Sequence, residues 1–488
     1  MAMKLRPYQE DIVSKVRDYM IMGQRGILVV SPTGSGKTAL TAHMLGNAAK
    51  KKNNSWFNVH RRELVKQSVK AFYKAGVGHG VIASGFLDDP KHHVQICSVQ
   101  TLAKRYTKIP PPKLIIWDEC HHVAAGTWEK IFKAFPQSFH IGLTATPVRL
   151  DGKGLGKFFK VMVEGPTVKW LIENSYLSDY KIFAPTDVDA SKIRKRLGDY
   201  VKADLEDVVD TKAITGSAIN EYRKHCDGKR AVCFCVTVKH SENVVAQFNE
   251  AGIPAMHVDG TTNKDQRDYA IKLFERGDIK VLSNVELFGE GFDLPAIEAT
   301  ILLRPTQSLG LYLQQVGRAL RPVYGDGFDL TDDEERAMAM QDGGKSHAVI
   351  LDHVGNVKRH GLPDEQRQWS LGDDIMKNKK KSAPSVKICE VCFAAQANTN
   401  KSCQICGAPF TKEGREIEFA DGDLAEIDRK DIKPKPTYTP EQRKMRKEQG
   451  RAETLEELYQ LGVKRGYKSP RGWAKAVFNA RQSKKLGG

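Results

Sequence analysis

The sequence lacks any apolar run long enough to cross a membrane. Stretches such as Ala299–Leu303 are far shorter than the about 20 residues that a spanning helix needs, so no membrane partner is expected. The first residues also lack the succession of charged, apolar and small-residue regions that marks a secretory signal. The protein is therefore expected to stay in the compartment where it is made.

A disulfide framework is also missing. Five of the nine cysteines are scattered through strand-like or helical contexts, which favours a reducing compartment. These five are Cys97, Cys120, Cys226, Cys233 and Cys235.

Acidic residues are in short supply relative to basic ones. The 488 residues include 76 lysines and arginines against 59 aspartates and glutamates, a net charge of +17. This balance favours a polyanionic partner, and nucleic acid fits it better than a membrane surface. The length predicts two or three domains with sizeable cores.

A glycine-rich loop follows the apolar run Gly26–Val30 and leads into a helix-forming segment. Residues 31–38 read Ser-Pro-Thr-Gly-Ser-Gly-Lys-Thr. Between a strand and a helix this pattern predicts a phosphate-binding loop, in which backbone N–H groups and the lysine hold nucleotide phosphates and the last threonine binds Mg²⁺. The loop residues predicted to bind ATP are Thr33, Gly34, Ser35, Gly36, Lys37 and Thr38.

Two acids, Asp118 and Glu119, follow a second buried-strand pattern, Lys113–Trp117. An open α/β sheet places its ligand chemistry at this end of a strand. We expect Asp118 to hold the Mg²⁺ and Glu119 to orient and deprotonate the attacking water. The alternative is a helix N-cap beside a solvated acid, and the loop upstream disfavours it.

Seven motifs, in a fixed order, resemble those of superfamily two helicases of the DEAD/DEAH kind. They are Leu5–Gln9, Val59–Leu64, Ser98–Leu102, Asp118–His121, Gly142–Pro147, Ser283–Asp293 and Gln314–Arg321. The resemblance covers about residues 1–360. Within the superfamily, the Leu-Arg-Pro-Tyr-Gln start, the Thr-Ala-Thr-Pro-x-Arg-Leu signature and a later cysteine-rich segment are similar to the bacterial RadD-like helicases. This chain has one four-cysteine cluster and a short tail, and a phage-encoded relative would look much the same.

The resemblance implies a role for each matched residue. Gln9 would read adenine, and Gly291 and Asp293 would contact ATP from a second lobe. Lys37 and Glu119 would share catalysis with Gln314, which would position the water or the γ-phosphate. Arg321 and Arg318 would stabilise the transition-state charge, unless they are phosphate or strand contacts on a helix. Backbone phosphates of nucleic acid would meet Arg61, Arg62 and Thr101, although the two arginines also fit solvated charges at a helix start.

Four cysteines form a second strong pattern. Cys389 and Cys392 are separated by a ten-residue gap from Cys403 and Cys406. Two such Cys-x-x-Cys pairs predict four thiolates around one Zn²⁺. A redox dithiol, unrelated free thiols and an iron–sulfur cluster are the alternatives.

The resemblance and the alternation of strand-like and helical patterns together predict an α/β fold with parallel sheets. Two RecA-like lobes of the P-loop NTPase kind, residues 1–165 and 166–365, would hold ATP between them. A basic linker (366–387), the zinc module (388–411), a second linker (412–440) and a basic helical tail (441–488) would follow.

The tail carries much of the excess charge. From residue 433 to the end, fifteen lysines and arginines face five glutamates. We predict nucleic-acid contacts from Lys464, Arg465, Lys468 and Arg471. The neighbouring Tyr467, Trp473 and Phe478 would either stack on bases or form the core of a small helical hairpin.

These observations predict an ATP-hydrolysing helicase or translocase that uses ATP, Mg²⁺ and Zn²⁺. DNA is favoured over RNA by the Thr-Ala-Thr-Pro motif and the RadD-like resemblance, which imply repair or recombination. The alternatives are an RNA helicase and an ATP-switched scaffold that recruits a protein partner through its zinc module and tail. The expected location is the bacterial cytoplasm, or the host cytoplasm if the chain is phage-encoded.

Overall fold

The structure of the protein is a computed structural model. It describes residues 4–87, 89–123, 126–148, 154–185, 195–196, 199–200, 212–285, 297–372, 386–410, 445, 448–449, 452, 454–467 and 469–486. The chain forms two compact units, residues 1–411 and 412–488.

The first lobe is built on a seven-stranded parallel sheet. Its strand order is β3-β4-β2-β5-β6-β1-β7, with bounds Gly26–Val30 (β1), Ser55–Val59 (β2), Gly80–Ile82 (β3), Val94–Ser98 (β4), Leu114–Trp117 (β5), Phe139–Thr144 (β6) and Val161–Glu164 (β7). The helices are Pro7–Ile21 (α1), Lys37–Lys50 (α2), Arg62–Lys74 (α3), Val99–Arg105 (α4), Gly126–Ala134 (α5) and Val168–Glu173 (α6). Short 3₁₀ turns span Tyr106–Lys108 and Cys120–His122.

Both faces of this sheet are buried. Ile27 and Val29 belong to one apolar cluster and Leu28 and Val30 to another, because successive side chains of a strand point to opposite faces. This explains why the strands read as continuous apolar runs. Their carboxyl ends lie along one edge, which carries the loops of the predicted site.

The second lobe is built on a six-stranded parallel sheet. Its order is β12-β13-β11-β14-β15-β8, with bounds Tyr180–Phe183 (β8), Ala231–Phe234 (β11), Ala255–Val258 (β12), Val281–Asn284 (β13), Ala299–Leu302 (β14) and Ala348–Asp352 (β15). Its helices are Lys212–Cys226 (α7), Val238–Glu250 (α8), Lys264–Arg276 (α9), Leu309–Ala319 (α10), Asp333–Asp342 (α11) and Asn356–His360 (α12). A separate two-residue pair joins Lys195–Arg196 (β9) to Asp199–Tyr200 (β10). The predicted pair of parallel-sheet α/β lobes is confirmed.

A short hairpin, Val386–Ile388 (β16) and Ala395–Ala397 (β17), carries the cysteine cluster. It attaches to the open edge of the second sheet, where Phe183 of β8 forms an antiparallel bridge with Ala394. The Ala184 N–H also donates to the Phe393 carbonyl at 3.0 Å. The hairpin is thus part of the folded body of the second lobe.

The chain returns to the first lobe after the second is complete. Trp369 and Leu371 pack on the cluster that contains Phe158 and Phe159, and the Gly156 N–H donates to the Leu371 carbonyl at 2.8 Å. Trp369 and Leu371, which lie in the predicted linker 366–387, thus contact the first lobe.

The described residues of the second unit include the helices Leu455–Lys464 (α13) and Pro470–Leu486 (α14). Helix α13 begins with a capping box, in which Thr454 accepts from the Glu457 N–H and Glu457 accepts from the Thr454 N–H. Leu458 and Ala474 are buried between the helices, with Trp473 and Phe478 packed against them. Of the two alternatives for these aromatic residues, the helical-hairpin core is the observed one.

Across the described residues, we find no helix that combines the length and apolarity needed to cross a membrane.

Candidate active site

The phosphate-binding loop joins β1 to α2 at the carboxyl edge of the first sheet. Gly34 and Gly36 have φ angles of +85° and +80°, which side chains with a Cβ rarely adopt. The Lys37 ammonium donates to the Ser31 and Pro32 carbonyls at 3.0 and 3.2 Å. The loop thus holds its lysine over the space that phosphates would occupy.

Ser35 and Gln9 brace the loop from within. The Ser35 hydroxyl donates to the Pro32 carbonyl at 2.7 Å. The Gln9 amide donates to the Ser35 carbonyl at 3.0 Å, and its oxygen accepts from the Arg6 N–H at 3.0 Å. Gln9 is buried beside Gly36, so the residue predicted to read adenine here supports the phosphate loop.

Asp118 and Glu119 follow β5, the second strand from β1 across the sheet. Burial and the neighbouring Glu119 charge raise the pKa of Asp118, while the Lys37 ammonium lowers it in part. Glu119 has a left-handed backbone, with φ +47° and ψ +52°. Non-glycine residues in this conformation are strained and occur at functional sites.

His121 connects the acids to the motif on β6. Its Nδ1 lies 3.4 Å from Glu119 Oε2 and 3.4 Å from Thr144 Oγ1. The Thr144 hydroxyl donates to the Thr146 carbonyl at 2.8 Å. Strands β5 and β6 are neighbours, which explains how two distant motifs come into contact.

Helix α10 brings the second lobe onto these loops at two glycines. A Cβ at Gly317 would lie 2.8 Å from Thr33 Cβ, and one at Gly310 would lie 2.8 Å from Thr146 Oγ1. The two glycines are seven residues apart, hence on one helix face. They allow the backbone of α10 to approach both the phosphate loop and the β6 motif.

One cleft collects most of the predicted residues. It has a volume of about 460 Å³ and is lined from the first lobe by Thr33, Gly34, Gly36, Lys37, Thr38, Asp118 and Glu119, and from the second by Gln314, Arg318 and Arg321. Gln314 and Arg318 are buried one helical turn apart on α10. Arg321 reaches the loop, since its Cγ would lie 3.9 Å from a Cβ placed on Gly34. Gly291 and Asp293 lie outside the described residues.

The donor set of this cleft suits ATP and Mg²⁺. Within the described part of the protein, no hydrogen-bond partner is found for Glu119 Oε2, because His121 Nδ1 at 3.4 Å is too distant for a good bond. A buried acid with a raised pKa, a threonine hydroxyl and an unsatisfied carboxylate oxygen match the oxygen ligands and water contacts that Mg²⁺ prefers. Lys37, Arg318 and Arg321 supply the positive charge that phosphates require.

Among the cleft residues that the sequence did not predict are Arg6, Tyr176 and Tyr324. The Arg6 guanidinium lies 4.9 Å from the centre of the Tyr176 ring, and the Tyr324 hydroxyl donates to the Ser175 carbonyl at 2.7 Å. Arg6 stands inside the quoted Leu-Arg-Pro-Tyr-Gln motif and could have been included. The two tyrosines carry no motif and become visible only in the fold.

The predicted nucleic-acid residues of the first lobe meet at the same sheet edge. Arg61 and Arg62 follow β2, and Thr101 lies in α4 after the adjacent β4. The Gln100 side chain joins the two segments by donating to the His60 carbonyl at 3.1 Å. Arg62 is exposed and is the better placed of the two arginines for a polymer.

An ion pair connects this sheet edge of the first lobe to the second lobe. The Arg267 guanidinium of α9 binds Glu63 at 2.9 Å and donates to the Thr262 carbonyl at 2.9 Å. The contact places the loop before α9 beside the start of α3.

The cysteine cluster has the geometry of a single-metal site. The four Sγ atoms of Cys389, Cys392, Cys403 and Cys406 lie within 4.8 Å of one another. Cys389 and Cys406 are 3.6 Å apart, as are Cys392 and Cys403. A tetrahedron with zinc–sulfur bonds of about 2.3 Å has edges of about 3.8 Å, whereas a multi-iron cluster needs more widely spaced thiolates.

A second layer of contacts orients these thiolates. The Gln396 amide donates to Cys403 Sγ at 3.0 Å, and its oxygen accepts from the Gln404 N–H at 2.9 Å. Gly407 closes the second cysteine pair with φ +76°, and Phe393 takes the same left-handed position, φ +60°, after the first. Such outer contacts are typical of metal sites.

The tail residues fall into three groups. Lys464 and Arg471 are exposed, and Lys468 lies outside the described residues. The Arg465 side chain is only 7% exposed and pairs with Glu448 at 3.6 Å. Its guanidinium also donates to the Met445 carbonyl. Arg465 therefore stabilises the tail fold, and a phosphate contact would require it to leave these partners.

Known proteins with similar sequences support the interpretation of this cleft as an ATP site. Residues 2–149 match the family model described as type III restriction enzyme, res subunit, and residues 216–323 match the helicase conserved C-terminal domain. A 51.5 kDa protein of a Lactococcus phage (isolate 7-9) is 34% identical over 411 residues, which cover 84% of each chain. The chain belongs to the superfamily two helicases. These helicase domains make it an ATP-hydrolysing enzyme.

This chain covers a smaller share of two other similar proteins. The "Putative ATP-dependent helicase IRC3" of Saccharomyces cerevisiae is 29% identical over 65% of this helicase, which spans 49% of the yeast chain. A solved fragment of a "putative HsdR subunit of a type I restriction enzyme" from Vibrio vulnificus YJ016 is 20% identical, with a TM-score of 0.55 over 73% of this chain and 65% of that chain. The latter shows a shared fold. The narrower likeness to RadD-like helicases stays a prediction.

Proposed function

We propose that the protein is an ATP-driven motor that translocates on, or unwinds, nucleic acid. The single observation that carries this proposal is the cleft in which Lys37, Asp118 and Glu119 of one lobe face Gln314, Arg318 and Arg321 of the other. Hydrolysis at a site shared by two lobes changes the contacts between the lobes. The change would alter how the two lobes bind a polymer that lies along Arg62, Thr101 and the adjoining second lobe.

Each side chain has a part in the reaction. Lys37 and the loop N–H groups bind the phosphates, and Thr38 and Asp118 would hold Mg²⁺, which neutralises charge on the phosphates when bound. Glu119 takes a proton from the attacking water, whose position Gln314 sets. Arg321, assisted by Arg318, stabilises the negative charge that develops on the transferred group, a contribution of about 10³–10⁵ in rate for arginine fingers.

We propose DNA as the polymer, acting in repair or recombination. Support comes from the net charge of +17, the Thr-Ala-Thr-Pro motif and the match to a restriction-enzyme family model. The cytoplasm remains the expected location. RNA is the alternative, and a third possibility is a scaffold whose ATP cycle only switches its grip.

Two measurements test these choices. ATPase rates with single-stranded DNA, duplex DNA, forked DNA and RNA should show the largest stimulation by a DNA form, and stimulation by RNA alone would replace the DNA proposal. Strand separation on a fork, compared with displacement of a triplex strand, distinguishes unwinding from translocation. Stimulated ATPase without either activity would favour the scaffold.

We also propose that the four cysteines bind one Zn²⁺ whose main role is structural. The sulfur spacing, the Gln396 contact and the attachment of the hairpin to β8 support this. Elemental analysis should find about one zinc per chain, lost in Cys403→Ser with ATP binding retained. Iron in freshly purified protein would contradict the assignment.

A further inference from the structure

The backbone that carries Arg321 is held from outside its own helix. Helix α10 ends at Ala319, and the last carbonyls of any helix lack partners within it. Here the Ser178 N–H donates to the Leu320 carbonyl at 2.8 Å. The Ser178 hydroxyl lies 3.4 Å from the Arg321 carbonyl.

Lys345 binds the carbonyls on both sides of Leu320. It lies between α11 and β15, and its ammonium donates to the carbonyls of Ala319 and Arg321 at 2.5 Å each. Lys345 is 4% exposed. Three successive carbonyls, from residue 319 to residue 321, are thus fixed by Lys345 and Ser178.

This use of a lysine is unusual. A buried lysine normally faces a carboxylate, but in the described part of the chain Lys345 forms no ion pair. Burial lowers its pKa to about 7, Glu298 opposes that shift, and Arg230, Arg321 and Lys229 add to it. Packing alone would be served better by an apolar side chain, so the hydrogen bonds to the two carbonyls are what the lysine contributes.

We propose that Lys345 is a positioning residue for ATP hydrolysis, which fixes the backbone of Arg321 so that its guanidinium enters the cleft in the productive direction. The inference rests on the proposed function, in which Arg321 stabilises the transition state. The ammonium also lies at the negative end of the α10 dipole, a favourable place for a cation. A displacement of about 1 Å at a reacting group can lower a rate about 10²-fold.

A double-mutant cycle in the full-length protein tests the proposal. Lys345→Met, Arg321→Ala, the double variant and the exposed-lysine control Lys239→Met are compared for kcat and KM at saturating polymer. Nucleotide affinity and thermal midpoint are measured alongside. We expect Lys345→Met to lower kcat about 10–100-fold with ATP affinity nearly unchanged. The double variant should be no slower than Arg321→Ala alone, because Lys345 acts through Arg321.

The outcomes separate this inference from the proposed function. Wild-type kcat in Lys345→Met, or additive losses in the double variant, overturns the role of Lys345. Unchanged kcat in Arg321→Ala overturns both that role and the proposed role of Arg321. If Lys345→Met does not fold, the same cycle is run with Lys345→Gln, whose uncharged side chain is one bond shorter and cannot hold both carbonyls as the ammonium does. Non-additive loss then supports the proposal, and additive loss or no loss overturns it.

Discussion

At the scale of single residues, the cleft depends on a few side chains whose neighbours leave them unsatisfied. Glu119 is the clearest case, since its backbone is left-handed and its Oε2 oxygen lies 3.4 Å from the nearest imidazole nitrogen. The strained backbone turns a buried acid toward the cleft. A carboxylate held in this way is available to accept a proton from water.

Glu119→Gln should therefore retain ATP binding and lose hydrolysis. The amide keeps the shape of the side chain but cannot act as a base, so kcat should fall by about 10²–10⁴. Polymer-stimulated ATPase and equilibrium nucleotide binding are measured together, with the exposed Glu173→Gln as control. Wild-type turnover in Glu119→Gln would refute its assignment as the base.

A buried histidine makes the stability of the first lobe depend on pH. His140 Nδ1 accepts from the Trp117 indole N–H at 3.2 Å, and Nε2 donates to the Phe135 carbonyl at 2.8 Å. The neutral ring is fully satisfied, and a proton on Nδ1 would face the indole N–H. Burial accordingly lowers the pKa of His140 to about 4 from the ordinary 6.5.

The sign of this effect is fixed by the lowered pKa. Between pH 6.5 and 4 the unfolded chain binds a proton that the folded lobe does not, so stability falls as pH falls, by about 3 kcal/mol in total. Chemical unfolding of wild type and His140→Gln across this range measures it. A slope equally steep in His140→Gln would show that other groups cause the loss.

At the scale of elements, helix α10 sets how closely the lobes approach. Gly310 and Gly317 lie against Thr146 and Thr33, at distances that leave no room for a Cβ. A helix with larger residues at these two positions would stand off from the phosphate loop. The catalytic side chains of α10 would then move with it.

Gly317→Ala should separate stability from activity. Alanine favours a helix over glycine by about 1 kcal/mol, which offsets part of the cost of the clash, so the thermal midpoint should change little. The added methyl group would lie 2.8 Å from Thr33 Cβ, so we expect kcat to fall at least about tenfold through misplacement of α10. Gly126→Ala is the matched control, because nothing lies within 4 Å of its added Cβ. Unchanged kcat in Gly317→Ala would show that the helix can shift freely.

Elements that are encoded by short stretches of sequence could be predicted. Motif order and apolar runs predicted both parallel sheets, and the Cys-x-x-Cys spacing predicted the cluster. Contacts between distant residues were not predictable from the chain. Gln9 contacts the phosphate-binding loop, and Tyr176 and Tyr324 line the cleft although they belong to no motif. Lys345 donates to carbonyls 24 and 26 residues upstream. No periodicity or spacing in the sequence predicts these contacts, because they depend on how the elements pack.

At the scale of the whole molecule, the tail forms a unit distinct from the two lobes. All described cleft residues precede residue 325, and the tail contributes exposed basic residues such as Lys464 and Arg471. The two units can therefore be tested separately.

Truncation after Pro440 should weaken nucleic-acid binding while sparing ATPase at saturating polymer. Each lost phosphate contact should lower the slope of log K against log salt by about 0.9 on duplex DNA. Binding is measured at several salt concentrations for wild type, the truncation and Lys464→Gln with Arg471→Gln. If affinity and slope stay the same in the truncated protein, the tail serves a partner or the fold instead.

The return of Leu371 to Gly156 has a consequence for biosynthesis. The first lobe lacks part of its apolar cover until the segment that follows the second lobe has been made, and β8 likewise waits for β15 to pair with it. A nascent chain that stops after the first lobe would leave uncovered the part of this apolar cluster on which Trp369 and Leu371 pack. Fragments for expression should therefore end after the hairpin rather than between the lobes, so that these contacts are kept.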